Sequence, residues 1–137
     1  MAAPPEGDEP IHPPWYRWRW AMLAAYWLVM LAATHRPAKP TPGAPPATHI
    51  DKPAHAVGFA ILAWMLAWCW CAGLPLTFRR AAIILGVLLA YSVLDELTQP
   101  WFARTCDPLD LLADLVGAAI GLGAFALMSR RRERAQT

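Results

Sequence analysis

The chain has 137 residues, of which 57% are hydrophobic and only 16% are charged, and its mean hydropathy is +0.30. Ordinary soluble domains carry about 25% charged residues, so this composition excludes that class and favours a membrane protein whose eight Trp residues lie at the interfaces. A formal net charge of +2 is too small to indicate a nucleic-acid partner.

The first predicted helix follows a proline-rich and acidic stretch, residues 1–16, that is typical of a disordered tail. From Trp20 to Thr34 the chain carries no charge, which is shorter than the roughly 20 residues that span a bilayer. Snorkelling of Arg17 and Arg19, together with the Trp anchors, is expected to complete a span at about residues 18–35. A cleaved secretory signal is the alternative interpretation of this segment.

Three further apolar segments follow a linker, residues 36–54, whose six prolines predict an extended surface loop. They predict helices at about residues 55–74, 80–99 and 109–129, and a basic tail covers residues 130–137. The predicted fold class is all-α, a four-helix transmembrane bundle formed by residues 17–129.

The basic residues predict how this bundle lies in the membrane. With four spans, both termini and the turn between helices 2 and 3 share one side, which holds Arg17, Arg19, Arg79, Arg80, Arg130, Arg131, Arg132 and Arg134. The other side holds Arg36, Lys39, Lys52 and Arg104. Because cytoplasmic segments carry an excess of Lys and Arg, both termini are expected to be cytoplasmic and the proline-rich loop extracytoplasmic.

This topology brings the start of helix 2, the end of helix 3 and the start of helix 4 together at the outer side. The candidate binding residues at these junctions are Asp51, Lys52, His55, Glu96, Gln99, Arg104, Asp107, Asp110 and Asp114. An ionised Asp at the centre of a membrane helix costs about 2.5–3.5 kcal/mol, so carboxylates here are seldom without a role. Six of the ten acidic residues face two fixed positive charges, which favours a protonated carboxylate, a bound cation or a cationic ligand group.

Some residues of this region have simpler interpretations. Asp95 is expected to face lipid headgroups or water, and Asp51 and Asp110 have the positions of helix caps. Gly117-x-x-x-Gly121 predicts close packing of helix 4 against helix 2 or helix 3.

The remaining His and Cys residues give little functional signal. Three cysteines provide no disulfide framework. Cys69 and Cys71 lie in an apolar run and are interpreted as packing residues, and Cys106 as a loop thiol without a role. No function is predicted for three histidines, which are His12, His35 and His49.

Four short motifs occur in order at the helix junctions. They are Asp51-Lys52-x-x-His55, Glu96-x-x-Gln99, Arg104-x-x-Asp107-x-x-Asp110 and the Gly117/Gly121 pair. Together, over about residues 50–125, they resemble the VanZ-like family of small multi-pass bacterial membrane proteins. The resemblance implies a bacterial cell (inner) membrane location and a cell-envelope role related to glycopeptide (teicoplanin) tolerance. The chain departs from that family at Asp114, where the family usually has Asn.

Three functional hypotheses remain open from the sequence. In the first, the outward pocket binds a lipid-linked or peptidoglycan-related ligand at the bilayer surface, with Arg104 and Lys52 pairing with its phosphate or carboxylate. In the second, the protein is an intramembrane hydrolase of a lipid headgroup, with His55 and Glu96 as acid and base and Arg104 stabilising negative charge. In the third, the polar cluster is structural and fixes the helix register.

A divalent cation is a variant of the second hypothesis. His55, Glu96, Asp110 and Asp114 offer one imidazole and three carboxylates, a set that suits Mg²⁺, Mn²⁺ or Zn²⁺. No metal-binding motif of known spacing, such as HExxH, accompanies them.

Overall fold

The computed structural model describes residues 14–36, 51–102, 104 and 106–135. Within these ranges 88% of the residues are helical and none lies in a strand, which confirms the all-α fold class. The helices are α1 (Pro14–Thr34), α2 (Asp51–Cys71), α3 (Phe78–Thr98) and α4 (Pro108–Arg134), and a 3₁₀ turn, Gln99–Phe102, continues α3. The proline-rich segment at residues 37–50 and the tail up to residue 13 lie outside the described ranges.

Three segments of the described chain are long and apolar enough to cross a membrane: Lys52–Cys71, Phe78–Phe102 and Pro108–Arg132. Helix α1 also has 21 residues but is not among them, and it carries Arg17 and Arg19 near its start. The membrane character is therefore established by α2, α3 and α4, and the fourth span remains a prediction.

Prolines lie in the first turns of three helices. Two of these helices, α1 and α2, begin earlier in the chain than the sequence predicted. Pro14 opens α1, Pro53 lies in the first turn of α2, and Pro108 opens α4. The first turn of a helix has no intrahelical partner for its N–H groups, so a proline there removes no hydrogen bond. The expected linker therefore ends before Asp51 rather than at residue 54.

Contacts between the helices show that successive helices run in opposite directions. The Tyr26 hydroxyl donates to the Gly58 carbonyl (3.1 Å), and Arg19, earlier in α1, donates to the Trp68 carbonyl, later in α2 (3.3 Å). Helix α1 is parallel to α3, because the rings of Trp27 and Tyr91 lie 5.2 Å apart and the hydrogen bond from Thr34 to Asp95 joins residues that come later in both helices. The ends of α1 and α3 and the starts of α2 and α4 therefore meet at one end of the bundle.

The tightest packing joins α2 to α4, in parallel orientation. A Cβ atom added to Gly117 would lie 2.0 Å from the carbonyl oxygen of Ala56, and one added to Gly121 would lie 2.1 Å from that of Ala60. Both helices thus present small residues four positions apart, which lets the two backbones touch. This contact confirms that the Gly117/Gly121 pair is a packing seam and selects helix 2 as its partner.

Apolar side chains fill the interior and also cover much of the outside. Phe59, Leu62, Ile84 and Leu88 are fully buried between the helices. Large apolar side chains on the outer faces are more than half exposed, among them Leu94, Leu97, Leu112 and Ile120. An exterior as apolar as the interior is typical of helices that lie in lipid.

The end of the bundle opposite this meeting point is basic. The guanidinium of Arg19 lies 4.4 Å from the centre of the Trp68 ring, and Arg80 donates to the Pro75 carbonyl (3.0 Å). Helix α4 continues to Arg134, past the expected end at residue 129, and its last turn contains Arg131, Arg132 and Arg134. Positive side chains there interact favourably with the negative end of the helix dipole.

Candidate ligand site at the polar end of the bundle

Ionisable and amide side chains from three helices form one layer at the end where α2 and α4 begin and α3 ends. We call this set the polar layer. Its members are Lys52, His55, Ser92, Asp95, Glu96, Gln99, Asp107, Asp110 and Asp114. Seven of them are less than 8% exposed although they are polar: His55, Ser92, Asp95, Glu96, Gln99, Asp110 and Asp114.

Asp114 is the most deeply buried carboxylate of the layer and links α4 to α2 and α3. One of its oxygens lies 2.9 Å from Nδ1 of His55, and the other accepts a short hydrogen bond from the Ser92 hydroxyl. The side chain is 1% exposed. Both carboxylate oxygens therefore have partners, and the hydrogen bond to Nδ1 fixes the orientation of the His55 ring.

Glu96 occupies the middle of the layer and joins α3 to the start of α4. Its Oε1 accepts from the amide nitrogen of Gln99 (3.0 Å), and its Oε2 accepts from the backbone N–H of Asp107 (2.9 Å). The same Gln99 amide also donates to Asp95 (3.3 Å). Gln99 thus holds two adjacent carboxylates of α3 in place.

Asp107 caps α4 and pairs with the ammonium of Lys52. Its carboxylate accepts from the N–H of Leu109 (2.9 Å), two residues on, and from Lys52 Nζ (2.5 Å). Hydrogen bonding to Lys52 and then to the Leu109 N–H lowers the pKa of Asp107 from its ordinary value of 3.8. Lys52 Nζ also lies 2.9 Å from Oδ1 of Asp110, so one ammonium serves two carboxylates at the start of α4.

Three of the predicted residues come within reach of a common ligand. One nitrogen of His55 and one oxygen each from Glu96 and Asp110 all lie within 4.8 Å of one another, and all three residues are buried. The sequence placed Asp114 beside them as a fourth candidate ligand, whereas in the structure Asp114 lies behind His55 and bonds its Nδ1.

A cavity of about 220 Å³ adjoins the layer between α1, α2 and the segment before α4. Its polar lining comes from Thr34, His55 and Arg104, and its apolar lining from Met30, Ala33 and Ala54. Since liquid water takes about 30 Å³ per molecule, the cavity has room for a small headgroup such as a phosphate. Arg104 and His55, two of the predicted residues, thus share one wall of an open space.

The prediction that Asp95 faces lipid headgroups or water is wrong. Its partners, which that prediction missed, are Thr34 at the end of α1 and His35 directly after that helix. Asp95 is only 3% exposed, and its Oδ1 accepts from the Thr34 hydroxyl (2.8 Å). His35 lies beside it, with Nδ1 3.5 Å from the same oxygen and Nε2 2.8 Å from the Thr98 hydroxyl. A signal was present in the sequence: Thr34 and His35 are polar residues at the end of the first apolar run, on the side where the acids gather.

The other predicted residues lie as follows. The side chain of Asp51 is outside the described part of the chain, although its backbone opens α2. Cys69 and Cys71 are buried in the apolar core, as packing residues are. Cys106 is exposed, and desolvation of the thiol and the nearby Glu96 carboxylate raise its pKa, so it is a poor nucleophile at neutral pH.

Membrane-length helices that enclose a buried layer of acids and a histidine at one end define a helical membrane protein with a polar site. The chain belongs to the VanZ/LLP1 family, whose profile matches residues 13–129. The resemblance seen in the four short motifs is thereby confirmed. Searches of curated proteins and of solved structures gave no significant match.

Proposed function

We propose that this VanZ-like protein binds a lipid-linked or cell-wall-related ligand in an outward-facing pocket of the bacterial cell membrane. In this role it contributes to the tolerance of glycopeptides such as teicoplanin. The observation that carries the proposal is the cavity in which Arg104, His55 and Thr34 meet beside the polar layer.

The charges of the two ends support the outward orientation. Arg17, Arg19, Arg79, Arg80 and the arginines that end α4 lie at the end opposite the polar layer. The positive-inside rule assigns that basic end to the cytoplasm. In a bundle with four spans, the polar layer then faces the side on which cell-wall precursors are used.

The lining of the cavity suits an anionic headgroup attached to a lipid. The Arg104 guanidinium provides several N–H donors to a phosphate or carboxylate, and the Thr34 hydroxyl adds a smaller donor and acceptor. The acids of the layer accept hydrogen bonds from hydroxyls or amines of the same ligand. At about 220 Å³ the cavity holds only a headgroup, so the lipid chains would lie along the apolar outer faces of the helices.

A second candidate function, an intramembrane hydrolase of a lipid headgroup, is favoured by the His55–Asp114 pair. A buried carboxylate on Nδ1 leaves the other ring nitrogen of His55 available to accept a proton. Glu96 lies within 4.8 Å of the same ring. In this account Arg104 stabilises the negative charge that develops on the headgroup.

We expect Arg104→Gln to lose the bound ligand while keeping the fold. The test compares the lipids that copurify with the wild-type protein and the variant in mild detergent, measured by mass spectrometry at equal protein amounts. Loss of charged hydrogen bonds to an anion, about 1.5–3 kcal/mol in all, predicts retention of the phosphate-bearing species at least about tenfold lower. Recovery of a cleaved headgroup with the wild-type protein would instead favour the hydrolase.

Arg80→Gln is the matched control, because it removes the same charge at the basic end of the bundle, where the Arg80 guanidinium donates to the Pro75 carbonyl. We expect it to retain the ligand and to raise glycopeptide tolerance in a susceptible bacterium as the wild type does, unlike Arg104→Gln. Equal retention of the same species by the wild type and by a folded Arg104→Gln protein would overturn the proposal.

A further inference from the structure

We propose that His55, Glu96 and Asp110 bind one divalent transition-metal ion, of the Mn²⁺ or Zn²⁺ type, in the middle of the polar layer. Asp114 and Gln99 act in this site as hydrogen-bond partners that orient the ligands. The site shares His55 with the neighbouring cavity, but its test needs no lipid-linked or cell-wall-related ligand.

The positions of the three side chains fit a common ion. Their ligand atoms lie within 4.8 Å of one another, and all three residues are buried. Nitrogen and oxygen ligands that share an ion at about 2.1 Å are separated by roughly 3–4 Å. Small side-chain rotations therefore bring the three atoms to coordination distance without a change in the helices.

The burial and the hydrogen bonding of the His55 ring are a second observation, separate from the number of carboxylates in the layer. The ring is 7% exposed, its Nδ1 lies 2.9 Å from Asp114, and its Nε2 has no hydrogen-bond partner in the part of the chain that the structure describes. A histidine that binds a metal nearly always donates its other N–H to a carboxylate or a carbonyl. Asp114 provides that carboxylate, and we assign Nε2 as the ligand atom of the proposed site.

Hydrogen bonds also hold the carboxylates of Glu96 and Asp110 in place, and both carboxylates keep lone pairs that can coordinate an ion. The two oxygens of Glu96 accept hydrogen bonds from Gln99 and from the Asp107 N–H, and the Cys106 thiol also bonds to this carboxylate. Asp110 uses Oδ1 for Lys52, and its Oδ2 has no partner among the residues that can be described. Carboxylate oxygens have two lone pairs each, so both residues can bind an ion without losing these contacts.

The charge balance around the three residues favours a cation. Glu96, Asp110 and Asp114 lie close together in a buried layer, and the neighbouring ammonium of Lys52 is already shared by Asp107 and Asp110. Uncompensated carboxylates are costly in a medium of low dielectric constant. A mixed imidazole and carboxylate set suits Mn²⁺ or Zn²⁺ better than Ca²⁺ or Mg²⁺, which prefer oxygen ligands alone.

The test measures metal binding by the full-length protein in detergent after treatment with a chelator. Titration with Mn²⁺ and with Zn²⁺ is expected to give one ion per chain for the wild type. Glu96→Gln and Asp110→Asn are expected to weaken binding at least about 100-fold, the upper range for loss of an outer-shell partner. His55→Gln is expected to weaken binding likewise, and His35→Gln is its matched control, since His35 is a partly buried histidine at the same end of the bundle that belongs to no group of three ligands in the described chain.

Spectroscopy on the wild type keeps the proposal testable if a variant fails to fold. With Mn²⁺ bound, pulsed electron paramagnetic resonance is expected to show coupling to an imidazole nitrogen, and His55→Gln to abolish it. The proposal is overturned if the folded wild type binds neither ion at micromolar concentration, if the bound Mn²⁺ shows no nitrogen coupling, or if His35→Gln weakens binding as much as His55→Gln does.

Discussion

Replacing Gly117 by Ala is expected to separate α2 from α4 and to destabilise the bundle by about 3 kcal/mol. The added Cβ would lie 2.0 Å from the Ala56 carbonyl oxygen and 2.8 Å from the Ala56 Cα, and a rigid backbone cannot yield as a flexible side chain does. The helices must therefore move apart along the seam, which also pulls His55 away from Asp114. Thermal unfolding of the detergent-purified protein, followed by circular dichroism, measures the effect.

Gly123→Ala is the control on the same helix. No atom outside its own turn lies within 4 Å of the Cβ position at Gly123, so the substitution should be neutral or stabilise α4 by up to about 1 kcal/mol through helix propensity. If Gly117→Ala unfolds at the same temperature as Gly123→Ala, the backbone contact between α2 and α4 is not present in the folded protein.

Replacing Asp114 by Leu is expected to destabilise the fold by about 3 kcal/mol, because each buried donor that loses its acceptor costs about 1–3 kcal/mol. Leucine fits the volume but leaves the His55 Nδ1 and the Ser92 hydroxyl without their acceptor inside the bundle. The unfolding temperature of the purified variant measures this loss.

Asp114→Asn tests whether the hydrogen bonds or the negative charge matter. The amide oxygen can still accept from His55, and the amide nitrogen can donate to the Ser92 oxygen, so we expect a loss of only about 1 kcal/mol. A variant as unstable as Asp114→Leu would show that the charge, rather than the hydrogen bonds, holds the layer together.

These stability measurements also separate a binding site from a purely structural network. If the polar layer only fixes the helix register, Arg104→Gln and Glu96→Gln should reduce stability and have no separate effect on ligand or metal. If the layer binds a ligand or an ion, each variant should lose that ligand or ion while the protein remains folded. Folding and binding must therefore be measured on the same samples.

The sequence predicted the four helices because their apolar runs are long and their ends are marked by proline and charge. It predicted that His55, Glu96 and Asp110 lie close together, because helices that alternate in direction bring the start of α2, the end of α3 and the start of α4 to the same side. It did not identify the packing partner of Gly117, since that depends on the match with Ala56 across the interface. The spacing of glycines along one helix says nothing about the other helix.

The errors concern polar residues whose partners are far away in sequence. Asp95 was assigned to headgroups or water, but Thr34 of α1, 61 positions earlier, provides its hydrogen bond. The sequence likewise indicates no role for His35, because its partners Asp95 and Thr98 are far away in the chain. Pairings between residues as far apart in the chain as Thr34 and Asp95 depend on how α1 packs on α3, and no local pattern in the sequence encodes that packing.

Labelling of Cys106 tests most directly whether the polar layer faces the outside, as the whole account requires. Cys106 is exposed at the polar end, whereas Cys69 and Cys71, the other two cysteines, are fully buried. A membrane-impermeant maleimide, applied somewhat above the ordinary thiol pKa of about 8.5 to offset the raised pKa of Cys106, reports the side on which the thiol lies. The account predicts labelling of the wild type, but not of Cys106→Ser, in right-side-out spheroplasts. Labelling confined to inverted membrane vesicles would contradict it.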